Sequence, residues 1–226
     1  MKPPAIIRAV LFDLDGTLLD TAPDLVGALN RVRDIEGHGP LPVSEVGHLA
    51  SQGALGLIRA GLPDQGPERE AVRRQQFLDH YAKHLLVDTR PFDGVNDLLA
   101  SLEQRAIPWA VVTNKPEFLT LPLLDQLGWL RRAACVVAGD TLPQSKPHPA
   151  PVQLACELVG ALPGETLMVG DDPRDLEAGR AAGSHPVLAD YGYGAGDVIG
   201  SLRADSLVID TPGDLLGLLD LSPGLP

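Results

Sequence analysis

The feature that most constrains this chain is a recurrence of short, nearly continuous apolar runs, each followed by polar residues. Ile6 to Phe12 is apolar except for Arg8. Pro108 to Thr113, Ala134 to Ala138 and Thr166 to Gly170 share that character, and Pro186 to Ala189 and Ser206 to Ile209 show it more weakly. Strands that do not alternate belong in parallel sheets covered on both faces. Helical patterns stand between them. Val95, Leu98, Leu99 and Leu102 follow i, i+3, i+4, i+7, as do Val152, Ala155, Cys156 and Val159. Pro116 suits a helix start, where its missing N–H costs nothing. Helix and strand alternate from about residue 90 onward, which predicts a doubly wound, Rossmann-like α/β sheet.

Residues 21–87 break the alternation. They hold no good strand and read as helices over Pro23 to Glu36, Ser44 to Leu49, Leu55 to Leu62 and Glu68 to Leu86. Breaks fall at Gly37-His38-Gly39-Pro40, Ser51-Gln52-Gly53 and Leu62-Pro63-Asp64. A structureless loop of that length is uncommon in a compact domain. The expected organisation is an α/β core from 1–20 and 88–226, with a small all-helical cap at 21–87. Its place after the first strand puts it over the carboxyl edge, where open α/β sheets bind ligands.

Charge narrows the partners. Lys and Arg total 18 against 30 Asp and Glu, a formal charge of −12, and the lysines are only Lys2, Lys83, Lys115 and Lys146. Nucleic acid and anionic membranes call for a basic footprint, so neither is an expected partner. Apolar residues at 44% suffice for a core, and aromatics at 4% make that core aliphatic. Cys135 and Cys156 have no CxxC spacing and read as reduced core thiols. Met1-Lys2-Pro3-Pro4 leads into the first apolar run without the parts of a signal peptide, and no run of 18 apolar residues occurs. A cytoplasmic protein, monomer or homodimer, is expected.

Polar residues gather where strands end. The first run closes in Asp13-Leu14-Asp15-Gly16-Thr17. Two carboxylates at i, i+2 beyond a buried strand need a partner or a cation, although Asp-Gly is also ordinary turn chemistry. The run at Trp109 closes in Thr113-Asn114, either polar ligands or a helix cap. Lys146 lies in Ser145-Lys146-Pro147-His148-Pro149, a stiff loop before a helix. The run at Leu167 closes in Gly170-Asp171-Asp172-Pro173-Arg174-Asp175, with more acid than a helix cap requires. Together these supply carboxylates for a hard divalent cation such as Mg²⁺, and a hydroxyl, an amide, a lysine and helix N-termini for a phosphate. One carboxylate could attack phosphorus and a second act as acid and base.

With these four motifs in this order, nearly the whole chain resembles the haloacid dehalogenase superfamily of phosphotransferases. The resemblance implies Asp13 as the nucleophile that becomes an aspartyl phosphate and Asp15 as the general acid and base. It implies Thr113 and Asn114 holding the transferring phosphoryl group, and Lys146 balancing charge. It implies Mg²⁺ on Asp13, the Asp15 backbone carbonyl and Asp171, with Asp175 orienting Lys146 or metal-bound water. Asp172 could be a further outer ligand. The insertion would be the helical cap of the phosphoglycolate phosphatase and β-phosphoglucomutase branches. Asp15 favours phosphoryl transfer over dehalogenation, because an alkoxide leaving group needs a proton and a halide does not.

Two branches compete. Leu11 to Asp24, Val112-Thr113-Asn114-Lys115-Pro116 and Tyr191-Gly192-Tyr193 resemble bacterial phosphoglycolate phosphatases. Gly170-Asp171-Asp172-x-Arg174-Asp175 with the same tyrosines resembles N-acetylmuramic acid 6-phosphate phosphatases. The expected function is a Mg²⁺-dependent phosphomonoester hydrolase for a small phosphorylated metabolite, phosphoglycolate first. A sugar-phosphate phosphomutase and a non-catalytic phosphate-sensing module are the rivals. Ser51, Gln52 and Gly53 are the expected substrate loop, with Arg59 as a cationic cap residue beside them. His48 and His148 read as structural or solvated.

Overall fold

In the computed structural model, residues 6–220 are described; the Met1–Pro4 start lies outside the described residues. The chain runs β1 (Ala9–Phe12), β2 (Leu19–Asp20), α1 (Ala22–Ile35), α2 (Val43–Val46), a 3₁₀ turn (Gly47–Gln52), α3 (Gly53–Gly61), α4 (Pro67–Tyr81) and β3 (Arg90–Pro91). It continues α5 (Val95–Gln104), β4 (Trp109–Val112), α6 (Glu117–Gln126), β5 (Val136–Val137), α7 (Ala150–Val159), β6 (Thr166–Gly170) and α8 (Pro173–Ala182). It closes with β7 (His185–Ala189), α9 (Gly200–Ala204), β8 (Leu207–Ile209) and α10 (Asp214–Asp220).

Six strands form a parallel sheet in the order β5-β4-β1-β6-β7-β8. The apolar runs explain it. Val10 and Phe12 pack into one apolar cluster with Val111, Leu167 and Val169. Leu11 packs into a second with Ala110, Val112 and Met168. Successive residues of β1 thus serve opposite faces, and both faces are buried, as a sheet flanked by helices requires. Register sets the site. Phe12 lies level with Val111 of β4 and Val169 of β6, so the first polar residues after three adjacent strands emerge together.

The helical insertion is as expected in kind and differs in detail. The helix expected over Glu68 to Leu86 ends at Tyr81, because Lys83 and His84 turn back onto the carbonyls of His80 and Tyr81. Asp24 then gathers the next backbone donors, accepting from Val87, Asp88 and Thr89 at 2.9–3.2 Å. One buried carboxylate so ties the exit of the insertion to its entry. The helix expected over Ser44 to Leu49 is a short α2 continued as a 3₁₀ turn. The β2–β3 pair at the root, Leu19 with Pro91 and Asp20 with Arg90, is absent from the sequence reading.

Leu25, Val26, Ala28, Leu29 and Val32 form the buried face of α1. They join Leu57 of α3 and Phe77 of α4 in the cluster that also fills one side of the sheet. Each such fully buried side chain contributes about 1.5–3 kcal/mol. Arg73, only 2% exposed, is satisfied by a bidentate pair with Glu36 at 2.8 and 2.6 Å. Among the described residues no helix is long and apolar enough to cross a membrane.

Candidate active site

Asp13 directly follows β1, and its N–H donates to Val169 O at 2.9 Å. Thr113 follows β4 and donates from its N–H to Val137 O at 2.9 Å. Asp171 follows β6. One carboxylate oxygen each from Asp13, Asp171 and Asp175 lie within 4.8 Å of one another, and all three residues are buried. Asp175 belongs to the first turn of α8. There it accepts from the Asp172 N–H at 3.1 Å, while Asp172 accepts from the Arg174 N–H at 2.9 Å, a reciprocal helix cap.

Lys146 is the charge partner of this cluster. Its Nζ lies 2.7 Å from Asp13 Oδ1, 2.6 Å from Asp175 Oδ1 and 2.6 Å from the Val112 carbonyl. Burial alone would push the ammonium down, but Asp13 and Asp175 outweigh it and hold it above the usual lysine range. Asn114 pins the lysine's backbone from both sides, donating to Lys146 O at 2.9 Å and accepting from Lys146 N at 3.0 Å. The amide expected at the phosphoryl group is therefore engaged in holding Lys146. The Thr113 hydroxyl accepts from Lys115 N at 3.2 Å, and both Thr113 and Asn114 line the cavity.

Asp171 has no cation beside it among the described residues. It accepts from Thr17 Oγ1, Ser51 Oγ and Gly194 N, each at 2.9 Å. Burial and then the Asp13 charge push its carboxyl up to about 6 despite those bonds. Gly16 sits at φ +88°, and a Cβ there would fall 2.4 Å from Asp171 Oδ2, so the turn after β1 demands glycine. Three carboxylates share one ammonium in a buried pocket, and burial pushes the Asp175 carboxyl up to about 8 despite Lys146 beside it. Such a group is costly without a cation, and its all-oxygen donors fit a hard divalent ion of the Mg²⁺ kind.

Asp15 faces a second lysine. Lys115 Nζ lies 3.0 and 3.2 Å from its two oxygens. The same ammonium donates to Tyr81 Oη at 2.8 Å and stands 4.4 Å above that ring. Tyr81 comes from α4, so this contact joins sheet and insertion. Tyr191 donates to Thr17 O at 3.0 Å, and Tyr193 bonds to Asp20, together holding the loop after β1.

A cavity of about 220 Å³ opens above these groups. The expected loop reaches it: Ser51, Gln52 and Gly53 all line the wall, and Ser51 touches Asp171. Arg59 does not. It pairs with Glu70 of α4 at 2.6 and 2.9 Å, outside the cavity lining. Arg74 does line the wall, and it shares an i, i+3, i+4, i+7 face of α4 with Phe77, Leu78 and Tyr81. That spacing was present in the sequence and would have found it. His48 is exposed, and His148 accepts from Ala150 N at 3.2 Å at the start of α7. Asp172 lies outside the three-carboxylate group and pairs with Arg174. Lys115 was signalled by the scarcity of lysine and its place beside Asn114. Arg174 was signalled only as part of the Gly170-Asp171-Asp172-x-Arg174-Asp175 motif.

The chain is 40% identical over 216 residues, 95% of each chain, to the N-acetylmuramic acid 6-phosphate phosphatase of Pseudomonas aeruginosa. It is also 40% identical over 189 residues to the phosphoglycolate phosphatase of Xylella fastidiosa, covering 84% of this chain and 82% of that one. A crystal structure described as a predicted phosphoglycolate phosphatase from Haemophilus somnus superposes with a TM-score of 0.82 at 28% identity, over 94% of this chain and 97% of that one. The haloacid dehalogenase-like hydrolase family matches residues 7–183. With the carboxylate cluster at the ends of β1 and β6, these likenesses establish that the chain belongs to the haloacid dehalogenase-like hydrolase family.

Proposed function

We propose that this phosphoric monoester hydrolase transfers the phosphoryl group of a small metabolite to Asp13 and then to water, with Mg²⁺ as cofactor. The observation that carries the reading is the buried Asp13–Asp171–Asp175 group, matched by only one ammonium. Asp13, Asp171 and the Asp15 backbone carbonyl would hold Mg²⁺, which when bound supplies positive charge to the phosphoryl oxygens. Lys146 occupies Asp13 Oδ1 and leaves Oδ2 to attack phosphorus. As the P–O bond to the alcohol breaks, Asp15 gives that oxygen a proton. Asp15 then takes a proton from the water that attacks the aspartyl phosphate, and the Asp13–phosphorus bond breaks. Thr113 and Lys146 stand beside Asp13 to steady the transferring group. Residues 21–87 act as the cap that closes the cavity and selects the alcohol.

For substrate we propose 2-phosphoglycolate, with N-acetylmuramic acid 6-phosphate as the second reading. Both carry a carboxylate besides the phosphate. Of the cavity's cations, Lys115, Lys146 and Arg174 each have an acidic partner, whereas Arg74 has none among the described residues. Arg74 is accordingly assigned to the substrate carboxylate, replacing Arg59. The paired Asp172 and Arg174 support the second reading, since that motif is the point of resemblance to the muramic acid branch. Steady-state kcat/KM on the two substrates, with β-glucose 1-phosphate as a mutase control, tests the assignment. Preference for a neutral sugar phosphate would overturn it, and no hydrolysis of any phosphomonoester would overturn the wider reading.

A further inference from the structure

Asp172 adjoins Asp171, and a fourth carboxylate so near a cation site invites a reading as an outer metal ligand. Its oxygens are engaged elsewhere. Arg174 Nε lies 2.7 Å from Asp172 Oδ1 and Nη2 lies 2.8 Å from Oδ2, a fork-on-fork pair. Oδ1 also accepts the Arg174 N–H as the cap of α8. The guanidinium is thereby fixed at the helix base, and its Nη2 reaches across to donate to the Ser51 carbonyl at 2.6 Å. Ser51 is held from the other side as well, its hydroxyl donating to Asp171 Oδ2 at 2.9 Å. Next to it, Gln52 lies against Gly56, where a Cβ would fall 2.4 Å from Gln52 Cβ. The backbone of the loop is thus gripped at Ser51 while Gln52 forms part of the cavity wall.

We propose that Asp172 and Arg174 form a latch that seats the Ser51–Gly53 loop over the carboxylate cluster, Arg174 being the positioning residue and Asp172 its anchor. The loop then depends on a contact from 123 residues away in sequence. Neither latch residue bonds to Asp13 or Lys146. Releasing the loop should therefore weaken substrate binding more than it slows the chemical step. The kinetic part of this proposal rests on the phosphomonoesterase reading above; the structural part does not.

The test compares Arg174→Gln, Arg174→Lys, Asp172→Asn and the double variant Asp172→Asn/Arg174→Gln. Asn keeps a side-chain oxygen for the helix cap, so Asp172→Asn preserves α8. Hydrogen exchange of the residue 51–53 amides in metal-free protein should quicken about tenfold in Asp172→Asn and Arg174→Gln, and less in Arg174→Lys. KM for 2-phosphoglycolate should rise about five- to tenfold with kcat changed by less than about twofold. The double variant should be no worse than Arg174→Gln, because the two residues act as one unit. The Mg²⁺ half-saturation should stay within about twofold of wild type. A rise of about tenfold in that constant for Asp172→Asn alone, with exchange unchanged, would make Asp172 a metal ligand and overturn the latch. Unchanged loop exchange in Arg174→Gln would also overturn it. Failure of the wild-type enzyme to hydrolyse phosphomonoesters would strike the functional reading, and exchange would still decide the latch.

Discussion

Asp13, Thr113 and Asp171 are held by backbone register at the ends of three paired strands, whereas Ser51, Arg74 and Tyr81 reach the cavity beside them from helices tied down by side chains. The sheet half cannot shift without breaking ladder hydrogen bonds and uncovering two apolar clusters. The insertion half shares the first of those clusters through Leu25, Leu57 and Phe77, and its polar ties are side-chain contacts that include Asp24 at its root, Lys115 to Tyr81, Arg174 to Ser51 and Ser51 to Asp171. Reacting groups belong on the rigid half, since misplacement by an ångström is costly to catalysis. Selectivity can be carried by the other half, whose polar contacts to the site are made by side chains.

Substitutions in the two halves should therefore fail differently. The largest loss is expected on the sheet side: Asp13→Asn should lower kcat by about 10⁴-fold or more while the protein melts at or above the wild-type temperature. Turnover near wild type would mean that the chemistry does not reside at β1. The next effect lies at the insertion's root. Asp24→Ala, which leaves three backbone donors without their acceptor, should cost about 2–4 kcal/mol in denaturant unfolding. A cost below about 0.5 kcal/mol would show that the insertion is held by its apolar face alone.

A pH dependence should follow from Asp171. Its carboxyl, pushed up to about 6, is protonated below that pH, and Mg²⁺ must displace the proton. The Mg²⁺ concentration for half-maximal thermal stabilisation should thus rise about tenfold per pH unit below 6, and a flat profile would contradict this. The sign for metal-free protein is the companion result. A carboxyl raised on folding stabilises most below its ordinary value near 3.8 and loses that contribution as pH rises through 6. The smallest effect sharpens the selectivity claim. Arg74→Gln should lose about tenfold more kcat/KM on 2-phosphoglycolate than on p-nitrophenyl phosphate, which lacks a carboxylate. Equal losses on both would remove Arg74 from substrate recognition.

What could be foreseen from sequence follows the same division. β1, β4 and β6 are fully buried, mostly apolar runs ending in polar residues, so both the strands and the polar cluster beyond them were legible. The two-residue strands β2 and β3 are too short to carry a period. The chain's exit after α4 is fixed by Asp24, more than sixty positions distant from the donors it gathers. Arg59 stands nearer the expected loop in sequence than Arg74 does. Only the packing of α3 and α4 turns one toward Glu70 and the other toward the cavity. Asp172 was legible only in part for a related reason: adjacency to Asp171 suggested an outer role at the cation site, but its bond to an arginine that bridges to Ser51 was not visible.

The central claim, that Asp13 carries the phosphoryl group, is tested most directly by trapping the enzyme during turnover. An acid quench with 2-phosphoglycolate and Mg²⁺, followed by borohydride reduction and peptide mass spectrometry, should convert Asp13 to homoserine in wild type and give no such product in Asp13→Asn. Homoserine at another aspartate, or hydrolysis with no reducible acyl phosphate at Asp13, would contradict the account.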